Sequence, residues 1–264
     1  MRVYITSDME GIAGVHLWEQ TGGDSAAYQE ARDWLTLSVN AAAEGALAAG
    51  AEYVLVDDGH GSATNLVVSK LLPSVDYVRG KPKPFWLAGL DSEFDASFFI
   101  GCHAMAGTQG AVLSHTMSGE IQNLWVNDRL MGEIGLWVAA CGHFGVPCLL
   151  VSGCDKACAE AESLVPGIET VVSKQGLTQH CATLRQPESV ISGIRECAEA
   201  ALRRRGAIAP YRLSTPVEMR IEFTSTSHAD WTPLTPGRER LDGRTVAYRG
   251  ADFIEAFREC FGLA

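Results

Sequence analysis

The chain has 264 residues, of which 47% are hydrophobic and 20% charged, a composition that supports a substantial core and excludes disorder along its whole length. Its 32 acidic residues outweigh 21 basic ones, for a net charge of −11. That balance argues against a nucleic-acid partner, because phosphate binding needs a basic footprint.

The first apolar run is Arg2–Thr6, a short β-rich stretch broken by Asp8 and Glu10. That break does not fit a signal peptide, and no stretch approaches the roughly 20 apolar residues that span a bilayer. The expected setting is cytoplasmic, without a membrane partner. Ala26–Gly50 is alanine-rich and ends on glycine, so it predicts a helix. Glu52–Val56 predicts a buried strand, Leu66–Leu72 a short helix closed by Pro73, and Asp76–Val78 a third short strand. Ser97–Ile100 and Leu124–Val126 are further apolar runs, and Asn127-Asp128 reads as a turn. Met131–Phe144 predicts a helix, Pro147–Val151 a strand, Lys156–Leu164 a helix and Glu169–Ser173 a strand. This rhythm of strand and helix predicts an α/β fold: a mainly parallel or mixed sheet with helices on both faces.

Beyond a boundary placed near Ser173–Gly176 the pattern changes. Pro187–Arg205 predicts one helix whose basic end suits its dipole. Val217–Phe223 and Arg244–Tyr248 are strand-like, and Asp230–Arg240 is a loop rich in proline and glycine. The expected organisation is a catalytic α/β part over residues 1–174 and a smaller α+β part over 175–264. None of the eight cysteines forms a C-x-x-C pair, which excludes zinc ribbons and thioredoxin motifs. Cys154 and Cys158, four apart, are placed on one helix face, where packing is the ordinary role of buried cysteine.

Three apolar runs end in metal-ligand chemistry: Asp8-Met9-Glu10-Gly11, Asp57-Asp58-Gly59-His60-Gly61 and Gly101-Cys102-His103. Open α/β sheets bind ligands outside the carboxyl ends of their strands. Three distant segments thus bring carboxylates and imidazoles to one rim. Residues two apart in an extended segment share a side, so Asp8 points with Glu10 and Asp58 with His60. Each residue alone also fits a bland role. Asp8 and Glu10 suit turns or helix caps, His60 and His103 suit satisfied or surface histidines, and Glu133 suits the first turn of a helix. Mixed nitrogen and oxygen donors match zinc and also manganese.

Thr6–Gly11 (T-S-D-M-E-G) resembles the S-x-D-x-E-G signature of the D-aminopeptidase family, zinc metallopeptidases typified by a dipeptide-transport-associated protein. Val56–His60, Gly101–Ala104, Leu113–Met117, Val126–Leu136 and Pro147–Gly153 continue the resemblance in order, which fades after about Gly206. Thr6 stands where the signature has serine. The resemblance implies two zinc ions per chain. Asp8 would bridge them, Glu10 and His60 would complete one site, and His103 and Glu133 the other. His115 matches the family's catalytic histidine. The resemblance further implies a short peptide substrate with a D-residue at its amino terminus, and a homo-oligomer built as a decameric ring. Asp57, Asp58 and Asn127-Asp128 are candidates for orienting the imidazoles. Two other readings use the same residue inventory: a two-metal phosphoesterase, and a non-enzymatic peptide-binding accessory protein.

Overall fold

The computed structural model describes residues 1–233 and 235–262; Leu234, inside the expected 230–240 loop, and Leu263 and Ala264, at the end of the expected C-terminal part, lie outside the described residues. A seven-stranded sheet forms the first layer system. Its strands are β1 (Arg2–Ser7), β2 (Tyr53–Asp58), β3 (Asp76–Val78), β4 (Ala96–Cys102), β7 (Cys148–Cys154), β8 (Glu169–Thr178) and β9 (Cys181–Leu184). They lie in the order β3-β2-β1-β4-β7-β8-β9, all neighbours parallel except the β8–β9 hairpin. The chain first builds outward from β1 on one side, then resumes at β4 on the other. The carboxyl ends of β1 and β4 therefore flank a topological switch point, the usual place for a ligand crevice.

Both faces of this sheet are covered, as the near-continuous apolar strands predict. Val3, Ile5, Val54, Val56, Phe98 and Ile100 pack into the core beneath α1 (Ala26–Ala48) and α4 (Pro187–Arg203). The alternate residues Tyr4, Leu55, Phe99 and Val151 enter the opposite core, shared with α2 (Glu133–Phe144) and α3 (Asp155–Leu164). The two-residue period of a strand thus divides one sheet between two cores.

A second, antiparallel sheet has the order β11-β12-β10-β5-β6. It joins β5 (Ile121–Val126) and β6 (Arg129–Leu130) to β10 (Val217–Phe223), β11 (Arg238–Arg240) and β12 (Thr245–Gly250). A short α5 (Thr226–Asp230) follows β10, and α6 (Phe253–Phe261) packs on β12 and β10. The boundary drawn at 174/175 from the sequence lies within β8. The second sheet takes β5 and β6 from before that point and the rest from after it.

Two local expectations change. Leu66–Leu72 is not an α-helix; only Val68–Lys70 forms a single 3₁₀ turn. Val67 and Val68 disfavour helix through their branched side chains, and Leu71 is already extended ahead of Leu72-Pro73. Cys154 does not share a helix face with Cys158. It caps α3, with its sulfur accepting the Ala157 N–H, while Cys158 lies inside the helix. Among the described residues no helix is long and apolar enough to cross a membrane.

Candidate metal centre

The three strand ends converge at the switch point. Asp8 directly follows β1, His103 directly follows β4, and His60 lies two residues beyond β2. Their closeness is built into the main chain. Asp8 N–H donates to Ile100 O at 2.8 Å, and Gly11 N–H donates to Gly101 O at 2.7 Å. A Cβ on Gly11 would lie 2.0 Å from Cys102 O, one on Gly101 2.1 Å from Asp8 O, and one on Gly153 2.2 Å from Cys102 O. No side chain fits in those gaps, and Gly101 also adopts the left-handed φ of +82°.

All six residues singled out from the sequence meet here. His60 Nδ1 lies 2.8 Å from Asp8 Oδ1 and 3.2 Å from Glu10 Oε2. His103 Nε2 lies 3.3 Å from Asp8 Oδ2 and 3.2 Å from Glu133 Oε1. The two Asp8 oxygens thus face different histidines. Glu133 opens α2, and its Oε1 also accepts the Met117 N–H at 2.8 Å. His115 reaches the centre from the loop between β4 and β5. Its Nε2 is 3.7 Å from Glu133 Oε1, and its ring stacks on that of His103 with centroids 3.9 Å apart.

The outer nitrogen of each histidine is anchored on a main-chain carbonyl. His60 Nε2 faces Thr21 O at 2.8 Å, His103 Nδ1 faces Ala104 O at 3.0 Å, and His115 Nδ1 faces Leu113 O at 2.9 Å. A carbonyl only accepts, so each of these nitrogens carries a proton, and the inward nitrogen is the one left to bind a metal ion once its own proton is displaced. Carbonyls thereby do the orienting work expected of Asp57, Asp58 and Asn127-Asp128. Asp57 instead pairs with Lys83 Nζ at 2.6 Å. Asp58 accepts the main-chain N–H groups of Asn65 and Leu66. It does not point with His60, because β2 ends at Asp58 and the backbone turns at Gly59, which ends the alternation. Asn127 and Asp128 form the expected turn, tied to Ser214 and Arg220 rather than to any histidine.

Inside the cluster, three buried atoms have no hydrogen-bond partner among the described residues: Asp8 Oδ2, Glu10 Oε2 and His103 Nε2. Orphaned buried polar atoms are costly, and three facing one another fit a missing cation. Asp8, Glu10 and His103 offer donor atoms within 4.8 Å of one another, and so do His103, His115 and Glu133. Burial alone would raise the Asp8 carboxyl, but the hydrogen bond from His60 and the charge of His103 hold it well below its usual range. Burial likewise opposes ionisation of Glu133, yet His103 lowers it. Burial disfavours charge on His60, but Glu10 and Asp8 push it well above its ordinary value. His103 follows the same course, raised by Glu133 and Asp8 against the effect of burial. The cluster draws positive charge, and mixed imidazole and carboxylate donors suit zinc.

A family description of D-aminopeptidases, peptidase family M55, matches residues 1–260. This chain belongs to the M55 D-aminopeptidase family. The chain is 35% identical over 262 residues to a D-aminopeptidase of Bacillus subtilis (strain 168), spanning 98% of this chain and 94% of that one. A solved structure, described as the Zn-dependent D-aminopeptidase DppA from Bacillus subtilis, a self-compartmentalizing protease, superposes with a TM-score of 0.96. The two share 33% identity, covering 100% of this chain and 96% of the other.

Three further residues of this M55 enzyme escaped the sequence reading. Lys174 is fully buried in β8 and donates to Glu10 O and Val15 O, pinning the loop that carries Glu10; burial lowers its ammonium to about 7. Ser173 donates to Gly11 O in the same loop. Glu160 of α3 accepts the Met105 N–H at 2.9 Å behind His103, and burial raises its carboxyl to about 7. The available signals were a lysine ending the apolar run Thr170–Ser173 and a glutamate on the buried side of an alanine-rich helix.

Proposed function

We propose that this chain is a two-zinc D-aminopeptidase that releases an amino-terminal D-residue from short peptides. The observation that carries the reading is the set of three buried atoms at the switch point, Asp8 Oδ2, Glu10 Oε2 and His103 Nε2, that have no hydrogen bond among the described residues. Asp8 would serve both ions, since its oxygens face His60 and His103 separately. Glu10 and His60 would complete one site, and His103 and Glu133 the other. Zinc, when bound, supplies Lewis acidity and lowers the pKa of water.

The protein's own groups do the rest. The carbonyls of Thr21 and Ala104 hold the outer nitrogens of the two imidazoles, so the inward nitrogens are the ones aimed to bind a metal. His115 stands outside the five-residue ligand set. Its Nδ1 is held by Leu113 O, which leaves Nε2 free toward the centre, and its ring packs T-shaped against Trp18. From there Nε2 can take a proton from the attacking water and then, as an imidazolium, steady the developing oxyanion or pass that proton to the leaving amine.

The description of the solved relative as self-compartmentalizing supports a closed homo-oligomer for this chain as well, and a decameric ring is the form we propose. Exposed apolar side chains such as Leu177 on the β8–β9 hairpin supply material for subunit contacts. The deciding experiment combines elemental analysis with hydrolysis of paired D- and L-alanyl peptides. About two zinc ions per chain and turnover of the D-series are expected. Active enzyme without bound transition metal, or selective cleavage of the L-series, would refute the reading.

A further inference from the structure

The cavity that holds the centre is small, about 170 Å³, and is walled by Asp8, His60, His115 and Glu133. That is below the range of about 300–1,000 Å³ typical of ligand pockets. Beside it lies a cleft of about 770 Å³ between the second sheet and the segment around Trp86. Gly59, Lys81, Trp86 and Met117 line both spaces, so the two adjoin. The cleft walls are largely apolar and aromatic, with Trp86, Phe223, Tyr248 and Trp231 among them. Trp86 stacks on Phe257 at 5.8 Å, and Phe257 is fully buried, so this wall is fixed in place. Trp231 is 86% exposed, a large apolar surface left open to solvent at the cleft.

Lys81 stands at the junction of the two spaces. Its neighbour Lys83 is buried and paired with Asp57, whereas Lys81 is exposed and has no ion pair or hydrogen bond among the described residues. An uncommitted ammonium at the entrance to an aromatic cleft matches one chemistry: an apolar residue bearing a free carboxylate.

We propose that this cleft is the subsite for the residue following the scissile bond, that it selects large apolar or aromatic side chains there, and that Lys81 pairs with the carboxylate of a dipeptide. The inference rests on the aminopeptidase reading and extends it to the leaving half of the substrate. A second space of about 530 Å³ adjoins His60 and is polar, with Arg32 and Arg79 in its wall. Both guanidinium groups already donate to Thr64 O, so their charge is partly committed.

The test uses zinc-loaded enzyme and five substrates: D-alaninamide, D-Ala-Gly, D-Ala-Asp, D-Ala-Phe and D-Ala-Phe-amide. D-alaninamide lacks a second residue and reports the aminopeptidase reading alone. The expected kcat/KM for D-Ala-Phe exceeds that for D-Ala-Gly by about 10-fold or more, the scale of apolar pocket discrimination. Phe223→Ala and Trp231→Ala are expected to reduce that ratio, Trp231→Ala doing so from an exposed position that the fold tolerates. Blocking the carboxylate as the amide is expected to cost about threefold in the wild type and nothing in Lys81→Met. A flat profile at the second position, with D-alaninamide still cleaved, would overturn the subsite and leave the aminopeptidase reading standing. A preference for D-Ala-Asp would place the leaving half beside Arg32 and Arg79 and also overturn it. Failure to cleave any of the five would overturn the underlying reading, and the subsite with it.

Discussion

Replacing Lys83 by methionine should destabilise the protein sharply, and by an amount that depends on pH. The Lys83–Asp57 pair is 2.6 Å long, with side chains only 5% and 0% exposed, at the end of β2 that leads into His60. Lys83 also donates to Asp58 O, so it fixes both residues that close the strand. Burial raises the Asp57 carboxyl from 3.8 to about 6 even though Lys83 pulls it down. That rise corresponds to about 3 kcal/mol of unfavourable burial. The penalty is fully present above the folded value of about 6 and is relieved as pH falls toward 3.8, because the folded state then holds the extra proton. Removing Lys83 leaves a buried carboxylate unpaired, which typically costs about 3–5 kcal/mol. The charge of Asp57 drives this loss, so it should be largest at about pH 8 and shrink by about pH 5, where an unassisted Asp57 is protonated. Adding Asp57→Asn should restore part of it. Urea unfolding of wild type, Lys83→Met and the double variant, at one protein concentration and both pH values, measures this directly. A loss under about 1 kcal/mol at pH 8, or an equal loss at both pH values, would refute the reasoning.

Three further outcomes follow from the centre. Asp8→Ala should lose both zinc ions and all turnover, whereas Glu10→Ala should weaken mainly one site; zinc titration of the two variants decides whether the carboxylate bridges. His115→Ala should keep its zinc and lose about 100- to 1000-fold in kcat. Lost zinc would make His115 a ligand, and near-normal kcat would make it structural. Glu160→Ala should lower zinc affinity by about 10- to 100-fold, since the carboxylate holds the Met105 amide behind His103, and Glu160→Gln should retain most of that affinity because the amide oxygen still accepts. Unchanged zinc affinity in Glu160→Ala would remove it from the supporting structure.

Much of the centre was legible because chemistry interrupts hydrophobicity there. Asp8, His60 and His103 stand where buried strands stop, and a parallel sheet places such stops on one rim. Glu133 and His115 carried no comparable signal and were found through the family motifs. A glutamate at the start of a helix and a histidine in a Ser/Thr-rich loop have ordinary roles, and only tertiary contact brings them to the centre. The inward nitrogen of each histidine was equally hidden, since main-chain carbonyls impose it and no side-chain motif encodes it. The second sheet was half legible. Val217–Phe223 is a clear strand in the sequence, but its partner β5 lies some ninety residues earlier, across several intervening elements. Alternation marks a strand without naming its neighbour.

The glycine contacts at 11, 101 and 153 have a consequence for how this enzyme can vary. The span between Asp8 and His103 is dictated by carbonyls and Cα atoms touching directly, as in a jig cut from the backbone itself. Side chains lining the aromatic cleft can therefore be exchanged without altering the separation of the candidate metal donors. A single methyl group at any of the three glycines would do the reverse. It would wedge strand ends apart and misplace the donors while every candidate ligand remained in the sequence.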